Sequence, residues 1–378
     1  PSTDQFGRLL DRHGKPFTIH CSEDDPGWAP YNEQDCRLLY DVLTRAHDLV
    51  EIEFGGEIGL TAPATAMRTF RRAHLKTAIP REVHTHAFVR RGYVGGRTEV
   101  IAEEGHHLSY FDINSSYAYQ MTLTMPAGES RTWEKGEPPP HWKEERIGFC
   151  DVLVEVPDDI ALPPLPVKAN PQFFPEGSGV AGKLVFPTGL LRGVWEWGEL
   201  ENAIDCGCRI VQWHESVWYE KQSLLKDFVT TLYKYRNQAK CFTCSGDLDA
   251  DFYCEACKKT GYDSGLDMFA KLLANATYGK FAQTPLRGKF YWVTDPEMPE
   301  GCTPLVEEDP HCQVWFKEEE ADAPFILPQI SARITALARV HLHRFAMEAL
   351  HRVLRECMTC RSKVTFHRDG DRRGLDRR

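Results

Sequence analysis

Two short segments far apart in the chain carry residues whose types and spacing could do chemistry. Residues 111–121 read FDINSSYAYQM and residues 271–283 read KLLANATYGKFAQ. In the first, Leu108, Tyr110 and Phe111 make an apolar, aromatic run that reads as a buried strand. Asp112 follows where that strand should end, and Asn114, Ser115 and Ser116 turn the chain. Two readings fit a carboxylate there. One is a ligand for Mg²⁺, which takes one or two carboxylates together with substrate phosphates; the other is a simple turn cap. In the second segment Phe269, Leu272, Leu273 and Ala276 recur at helical spacing, so Lys271, Asn275 and Tyr278 fall on one helical face. A cation, an amide and a phenol ring in that order suit a triphosphate, a base and a sugar; the plainer reading is an amphipathic helix with a solvated Lys. Gly279 costs about 1 kcal/mol against Ala inside a helix, so it is expected to permit a close approach or to end the helix.

A third constellation is Cys241-x2-Cys244-x9-Cys254-x2-Cys257. Two CxxC knuckles joined by a short polar loop are a strong signal for one structural Zn²⁺, since four thiolates at about 2.3 Å close a tetrahedral site. The chain has 13 cysteines, an odd number with four in one tight cluster, which favours metal binding and reduced thiols over a disulfide framework.

The elements that must position these groups follow from periodicity. A helix is expected from about Tyr31 to Val50, with Leu38, Leu39, Val42 and Leu43 on its apolar side. Strand-like runs cover Leu108 to Ile113 and Phe149 to Val156, a helical pattern covers Val194 to Ile204, and Cys208 to Tyr219 reads as β. A helix from Ser223 to Lys240 puts Leu225, Phe228, Leu232 and Tyr235 on one face. With the Lys271 helix it would form an antiparallel hairpin, bringing Arg236, Lys240 and Lys271 toward one triphosphate. After a strand-and-loop stretch from Thr284 to Ala323, a long helix runs from Ile330 to Glu356, burying Ile334, Leu337, Phe345, Ala349 and Val353.

The two opening segments resemble motifs A and B of family B DNA polymerases, written DxxSLYP and KxxxNSxYG. The continuation Gly279-Lys280-Phe281-Ala282 resembles the protein-primed branch found in phages, linear plasmids and organellar elements. Tyr93-Val94-Gly95-Gly96 is similar to that branch's YxGG motif, and Tyr31-Asn32-Glu33-Gln34-Asp35 to its third exonuclease motif, YxxxD. The four occur in the family's order. Departures are Ser116 for Leu and Ala118 for Pro in motif A, and Ala276-Thr277 in motif B. The motif C position falls to Phe366-His367-Arg368-Asp369-Gly370-Asp371-Arg372, which also reads as a charged, solvated tail.

The resemblance implies an α+β fold, in which a polymerase palm of antiparallel sheet with helices is joined to helical-hairpin fingers; the zinc knuckle, which is not part of the family pattern, would be an insertion in those fingers. The expected domains are an exonuclease remnant and linker at 1–75, a first palm part at 76–220 with an insertion at 157–220, fingers at 221–283, and a second palm part at 284–378. The implied activity is addition of dNTPs to a 3′-hydroxyl by two-metal phosphoryl transfer, in replication of a viral or mobile-element genome. Asp112 and Asp371, with Asp369 beside them, would serve two catalytic Mg²⁺ ions. Ser115, Ser116, Tyr117, Arg236, Lys240, Lys271, Asn275 and Tyr278 would bind nucleotide; Tyr93, Gly95, Gly96, Gly279 and Lys280 would bind DNA. Implied partners are template and primer DNA, dNTPs and a terminal protein as primer, on a monomer. Asp35 lacks the other acidic exonuclease motifs, so no proofreading is expected, and the chain reads as a fragment. The competing reading is an inactive, zinc-stabilised nucleic-acid-binding module; a nuclease resting on Asp35 ranks lower.

A formal net charge of −10 requires any DNA-binding cations to be concentrated in a cleft. No stretch approaches the ~20 apolar residues a membrane span needs, and no signal peptide is visible, so an intracellular protein, in host cytoplasm or organelle, is expected.

Overall fold

The computed structural model describes residues 28–99, 113, 115–169, 182–239, 264–284, 286–294, 300–305, 313–320 and 325–359. At its centre is an antiparallel sheet of β1 (Met125–Trp133), β2 (Arg146–Val156), β5 (Gly189–Glu196) and β6 (Arg209–Gln222), in the order β1-β6-β2-β5. β2 lies between β6 and β5 and is buried on both faces, which is why Ile147 to Val154 reads as a nearly unbroken apolar run rather than an alternation. Phe149 points to one side, where Phe88, Val89, Val217, Tyr219 and Ala332 close over it. Cys150, Val152, Val154 and Val156 point to the other, against Leu165, Trp195, Trp197 and Trp218. Asp151, on the other face of β2 from these, is almost fully buried. Burial works against its charge, but Arg91 at 2.6 Å and Arg192 at 3.3 Å outweigh that and hold its carboxyl below the usual carboxylate range.

Helices α3 (Val83–Gly92), α6 (Trp197–Asp205) and the long α9 (Pro328–Thr359) pack against this sheet. A second and larger core joins α2 (Ala62–Thr69), α4 (Ser116–Met121), α7 (Lys226–Ala239), α8 (Ser264–Phe281) and α9. Phe228, Val229 and Leu232 on α7, with Leu225 just before it, are its buried apolar residues, and Tyr235 is half-buried, close to the helical stripe expected from the sequence. Phe70 joins this face to α8, edge-on to both Phe228 (5.8 Å) and Phe281 (5.9 Å). α7 and α8 pack on each other as the expected hairpin. The remaining described elements are α1 (Trp28–Asp48), two π-helical turns (Leu49–Glu53 and Phe70–His74), α5 (Pro140–Glu145), the small pair β3 (Val167–Lys168) and β4 (Leu184–Val185), and a three-stranded sheet of β7 (Leu286–Trp292), β8 (Thr303–Pro304) and β9 (Val314–Glu320).

Several expectations are corrected. Val194 to Glu196 is strand, not the start of a helix, because these residues pair with Asp151, Cys150 and Phe149 on β2. Glu196 then caps α6, accepting from the Gly198 N–H at 2.8 Å. The stretch 157–220, where an insertion is expected, contributes β5 and most of β6 to the central sheet, which leaves that expectation as it stands. Leu38, Leu39, Val42 and Leu43 on α1 are 46–59% exposed, so no described element covers that face. Leu272 on α8 and Phe345 on α9 are likewise exposed, at 49% and 41%. The Leu108–Tyr110 strand, the Val353 side chain and everything from 360 onward lie outside the described residues.

Candidate functional site

The first segment enters the structure at Ser115, the single described non-glycine residue with positive φ (φ 56°, ψ 38°). This left-handed conformation costs a non-glycine residue on the order of 1 kcal/mol or more and is kept by outside contacts. Here the Ser115 Oγ accepts from an Arg236 Nη1 N–H at 2.8 Å, and its carbonyl accepts from the Tyr119 N–H at 3.0 Å. The turn starts α4, with Ser116 as its first residue and Ala118 and Met121 anchored in the core.

One turn along, the Tyr117 ring lies flat on the ring of Tyr278 from α8, with centroids 4.9 Å apart and planes 6° from parallel. This contact joins the two segments that sequence alone could only list side by side. The hydroxyl end of Tyr117 is closed by a third. A Cβ on Gly96 would stand 2.6 Å from the Tyr117 Oη, so only glycine lets the 93–96 loop lie there. Tyr93 belongs to the same cluster. Burial, and then the neighbouring Tyr117, push its phenol pKa up; Tyr278 is raised by burial and by Tyr117 and Tyr93.

The 93–96 loop is fastened by Arg339 of α9, which sequence reading did not single out as a site residue. Arg339 is 2% exposed. Its Nε and Nη2 donate to the two oxygens of the equally buried Glu199, at 2.7 and 2.8 Å. Its Nη1 donates to the carbonyls of Val94 (2.7 Å) and Gly95 (2.6 Å). A planar fork that satisfies a carboxylate on one edge and two carbonyls on the other is a task for Arg and not for Lys. A second overlooked clamp is Arg90, which donates to the carbonyls of Ala282 (2.9 Å) and Gln283 (2.7 Å) beyond the end of α8. Ser331 donates to the Tyr278 carbonyl, and the Leu327 N–H to the Phe281 carbonyl at 2.8 Å. The clue in sequence is an Arg directly after the largely apolar run Ile334–Ala338, but its partners lie 140 or more residues away.

On α8, Lys271 and Asn275 are exposed, and Tyr278 is half-buried against the core that also takes in Leu273 and Ala274. No described carboxylate pairs with Lys271. Gly279 does not end the helix, which runs on to Phe281, and a Cβ there would meet nothing within 4 Å among the described residues. Lys280 stacks over the Phe325 ring at 5.3 Å. Arg236 is not open beside Lys271: it is 6% exposed and its Nε donates to Asp267 at 2.5 Å. Asp112, Asp369, Asp371, Lys240, Cys241, Cys244, Cys254 and Cys257 lie outside the described residues. Among the described residues no group of three or more His, Cys, Asp or Glu side chains is placed to hold a metal ion.

Three comparisons with known proteins bear on this arrangement. The family described as DNA polymerase type B, organellar and viral, matches residues 26–311. A probable DNA polymerase of Ascobolus immersus is 26% identical over 354 residues, covering 88% of this chain and 27% of its own length. One of Neurospora intermedia is 25% identical over 335 residues, covering 83% and 31%. Among solved structures, Phi29 DNA polymerase with primer-template DNA and incoming nucleotide superposes with a TM-score of 0.57 at 18% identity, over 86% of this chain and 51% of that one. The post-translocation binary complex with primer-template DNA gives 0.55, at 18% identity, over 87% and 51%. The fold is thus shared with Phi29 polymerase. The chain spans under a third of the length of these curated relatives and about half of the Phi29 chain.

Proposed function

This chain belongs to the type B DNA polymerases of organelles and viruses, and from that premise we propose that it carries the nucleotide-binding palm and fingers of a template-directed DNA polymerase. The observation that carries the reading is the stack of Tyr117 on Tyr278, with Gly96 against the Tyr117 hydroxyl. Three segments separated by up to about 180 residues meet at one point, and each brings a group suited to a different part of a polymerase substrate.

In this reading Lys271 holds the phosphates as a point charge, and Asn275 and Tyr278 shape the pocket for the nascent base pair. Ser115 and Ser116 border the nucleotide at the start of α4. Tyr117 lies under the sugar. Wedged between the Tyr278 ring and Gly96, it has no room to retreat from a 2′-hydroxyl, so it would select deoxyribose by shape. Tyr93, Gly95 and Gly96 would meet the template backbone, on a loop kept in register by Arg339, and the open surface at Gly279 and the cation of Lys280 would face DNA. Two Mg²⁺ ions, which we assign to Asp112 and Asp371, would supply activation of the primer 3′-hydroxyl and neutralisation of charge on the leaving pyrophosphate.

The wider setting is proposed with it. Priming by a terminal protein, copying of a viral or mobile-element genome, an intracellular location and a structural Zn²⁺ on the four knuckle cysteines are parts of the same proposal. The companion phosphate role of Lys240 belongs with them. Primer extension with Mg²⁺ tests the core of it. Extension should be seen with the native chain and be lost with Asp112→Ala. Extension that survives Asp112→Ala would remove the polymerase assignment, and extension that survives Asp371→Ala would move the second metal carboxylate elsewhere.

A further inference from the structure

Arg236 was expected to face a triphosphate, yet it is already occupied. Its Nε donates to the Asp267 Oδ1 at 2.5 Å, and its Nη1 donates to the Ser115 Oγ at 2.8 Å and the Tyr233 hydroxyl oxygen at 3.1 Å. The Arg236 side chain is 8% exposed and that of Asp267 20%, so the pair is largely out of water. Its surroundings give it meaning. Asp267 stands one helical turn before Lys271 on α8, at i and i+4, on the side that continues through Asn275 and Tyr278. Ser115 is the strained turn of the first segment. The ion pair therefore ties α7, α8 and that turn together beside the nucleotide face.

From the geometry we infer that Asp267 is an internal substitute for the nucleotide's phosphates: its carboxylate occupies Arg236 when no nucleotide is present, and a nucleoside triphosphate displaces it. This rests on the functional reading above and adds to it a residue that sets affinity and selectivity.

The physical argument has three parts. A guanidinium this buried cannot be left without an anion, since an uncompensated buried charge is strongly unfavourable. Asp267 supplies that anion. Yet a carboxylate one turn from Lys271 sets a negative charge beside the group that must receive phosphates, and like charges at that range oppose binding. An acid in the first turn of α8 is explained by the helix dipole alone. Its pairing with a buried Arg from another helix is not. Finally, exchange of one anion for another keeps Arg236 paired in both states, so only a ligand that outbids a carboxylate completes it. A triphosphate, with several charged oxygens for a bidentate fork, can do so; a monophosphate has far less to offer. Asp267 thereby favours triphosphates over their hydrolysed products.

The test is binding of Mg²⁺·dATP and of dAMP to the full 378-residue chain by calorimetry. Asp267→Asn is expected to tighten dATP binding by about fivefold to tenfold and to tighten dAMP by more, narrowing the triphosphate preference. Arg236→Gln should weaken dATP binding, and adding Asp267→Asn to it should bring a smaller gain than the same change brings to the native chain. Unchanged or weaker dATP binding by Asp267→Asn, with unfolding temperature near native, would overturn the inference and leave Asp267 as a brace for Arg236. Asp267→Ser replaces it should the Asn variant not fold. Lys271→Ala separates the two levels: it must weaken dATP binding in both the native and the Asp267→Asn background. If it does not, or if the native chain binds no dATP, the functional reading itself fails.

Discussion

The rings of Tyr117 and Tyr278 lie face to face 4.9 Å apart, although 160 residues separate them in sequence. An offset stack of this kind is worth about 0.5–1.5 kcal/mol beyond the area it buries, which is small against the stability of the fold but enough to fix one ring. A ring so fixed discriminates by shape. Tyr117→Val should therefore raise incorporation of ribonucleotides relative to deoxyribonucleotides by about tenfold or more, read as the ratio of primer-extension rates. Tyr278→Ala, which removes the backing and leaves Tyr117, should move the ratio the same way by less. An unaltered ratio in Tyr117→Val would take the sugar-facing role away from it.

Arg339 and Glu199 predict a stability effect with a clear contrast. Both are 2% exposed, and Arg339 also serves the Val94 and Gly95 carbonyls. Arg339→Ala leaves a buried carboxylate and two carbonyls unpaired and should cost roughly 3–5 kcal/mol in urea unfolding. Combining Arg339→Met with Glu199→Leu should recover most of that loss. The exposed Arg209–Glu155 pair, with side chains 73% and 47% accessible, should give under about 1 kcal/mol on Arg209→Ala. A loss no larger for Arg339→Ala than for Arg209→Ala would show that the loop is held by something else.

His86 on α3 predicts a pH dependence. Burial, reinforced by the charges of Arg90, Arg81 and His84, lowers its pKa to about 4 against an ordinary value near 6.5. Between those values the unfolded chain binds a proton that the folded chain refuses. Stability must then fall as the pH drops from about 6.5 to 4 and recover as it rises. Other groups titrate there too, with Glu196 raised chiefly by burial, so the useful quantity is a difference. Native protein should lose more stability than His86→Gln between pH 7.5 and 5. Equal losses would mean that His86 is protonated in the fold.

The four knuckle cysteines occupy the 241–257 connection between α7 and α8, two helices that pack on each other. A closed thiolate site there predicts one zinc per chain in elemental analysis of purified protein. Cys241→Ser with Cys257→Ser should release it, and chelation should lower the unfolding temperature. Protein purified without chelator that carries no zinc would rule the site out.

Local pattern carried much of this fold. The apolar stripe of α7 and the unbroken apolar run of β2 were both legible because each is set by its own few residues. The motif residues Tyr117, Tyr278 and Gly96 do meet. What was not legible depends on partners far away in sequence. Val194 to Glu196 has helical spacing but is captured by β2. Arg339 looks like any helical Arg until Glu199 and the 93–96 loop are brought to it. Arg236 reads as open for phosphate in the sequence because nothing local announces Asp267, 31 residues on. Leu38 and Leu43 lie on the apolar side of α1 yet are exposed, since periodicity says which face of a helix is apolar and not what lies against it.

Photolabelling with 8-azido-dATP in the presence of primer–template DNA and Mg²⁺, followed by peptide mapping, asks directly whether the two segments form one nucleotide pocket. Label should appear in the peptides containing Tyr278 or Tyr117, disappear with excess dATP, and fall with Lys271→Ala. Competable label confined to other parts of the chain, undiminished by Lys271→Ala, would contradict the joined pocket and the polymerase role built on it.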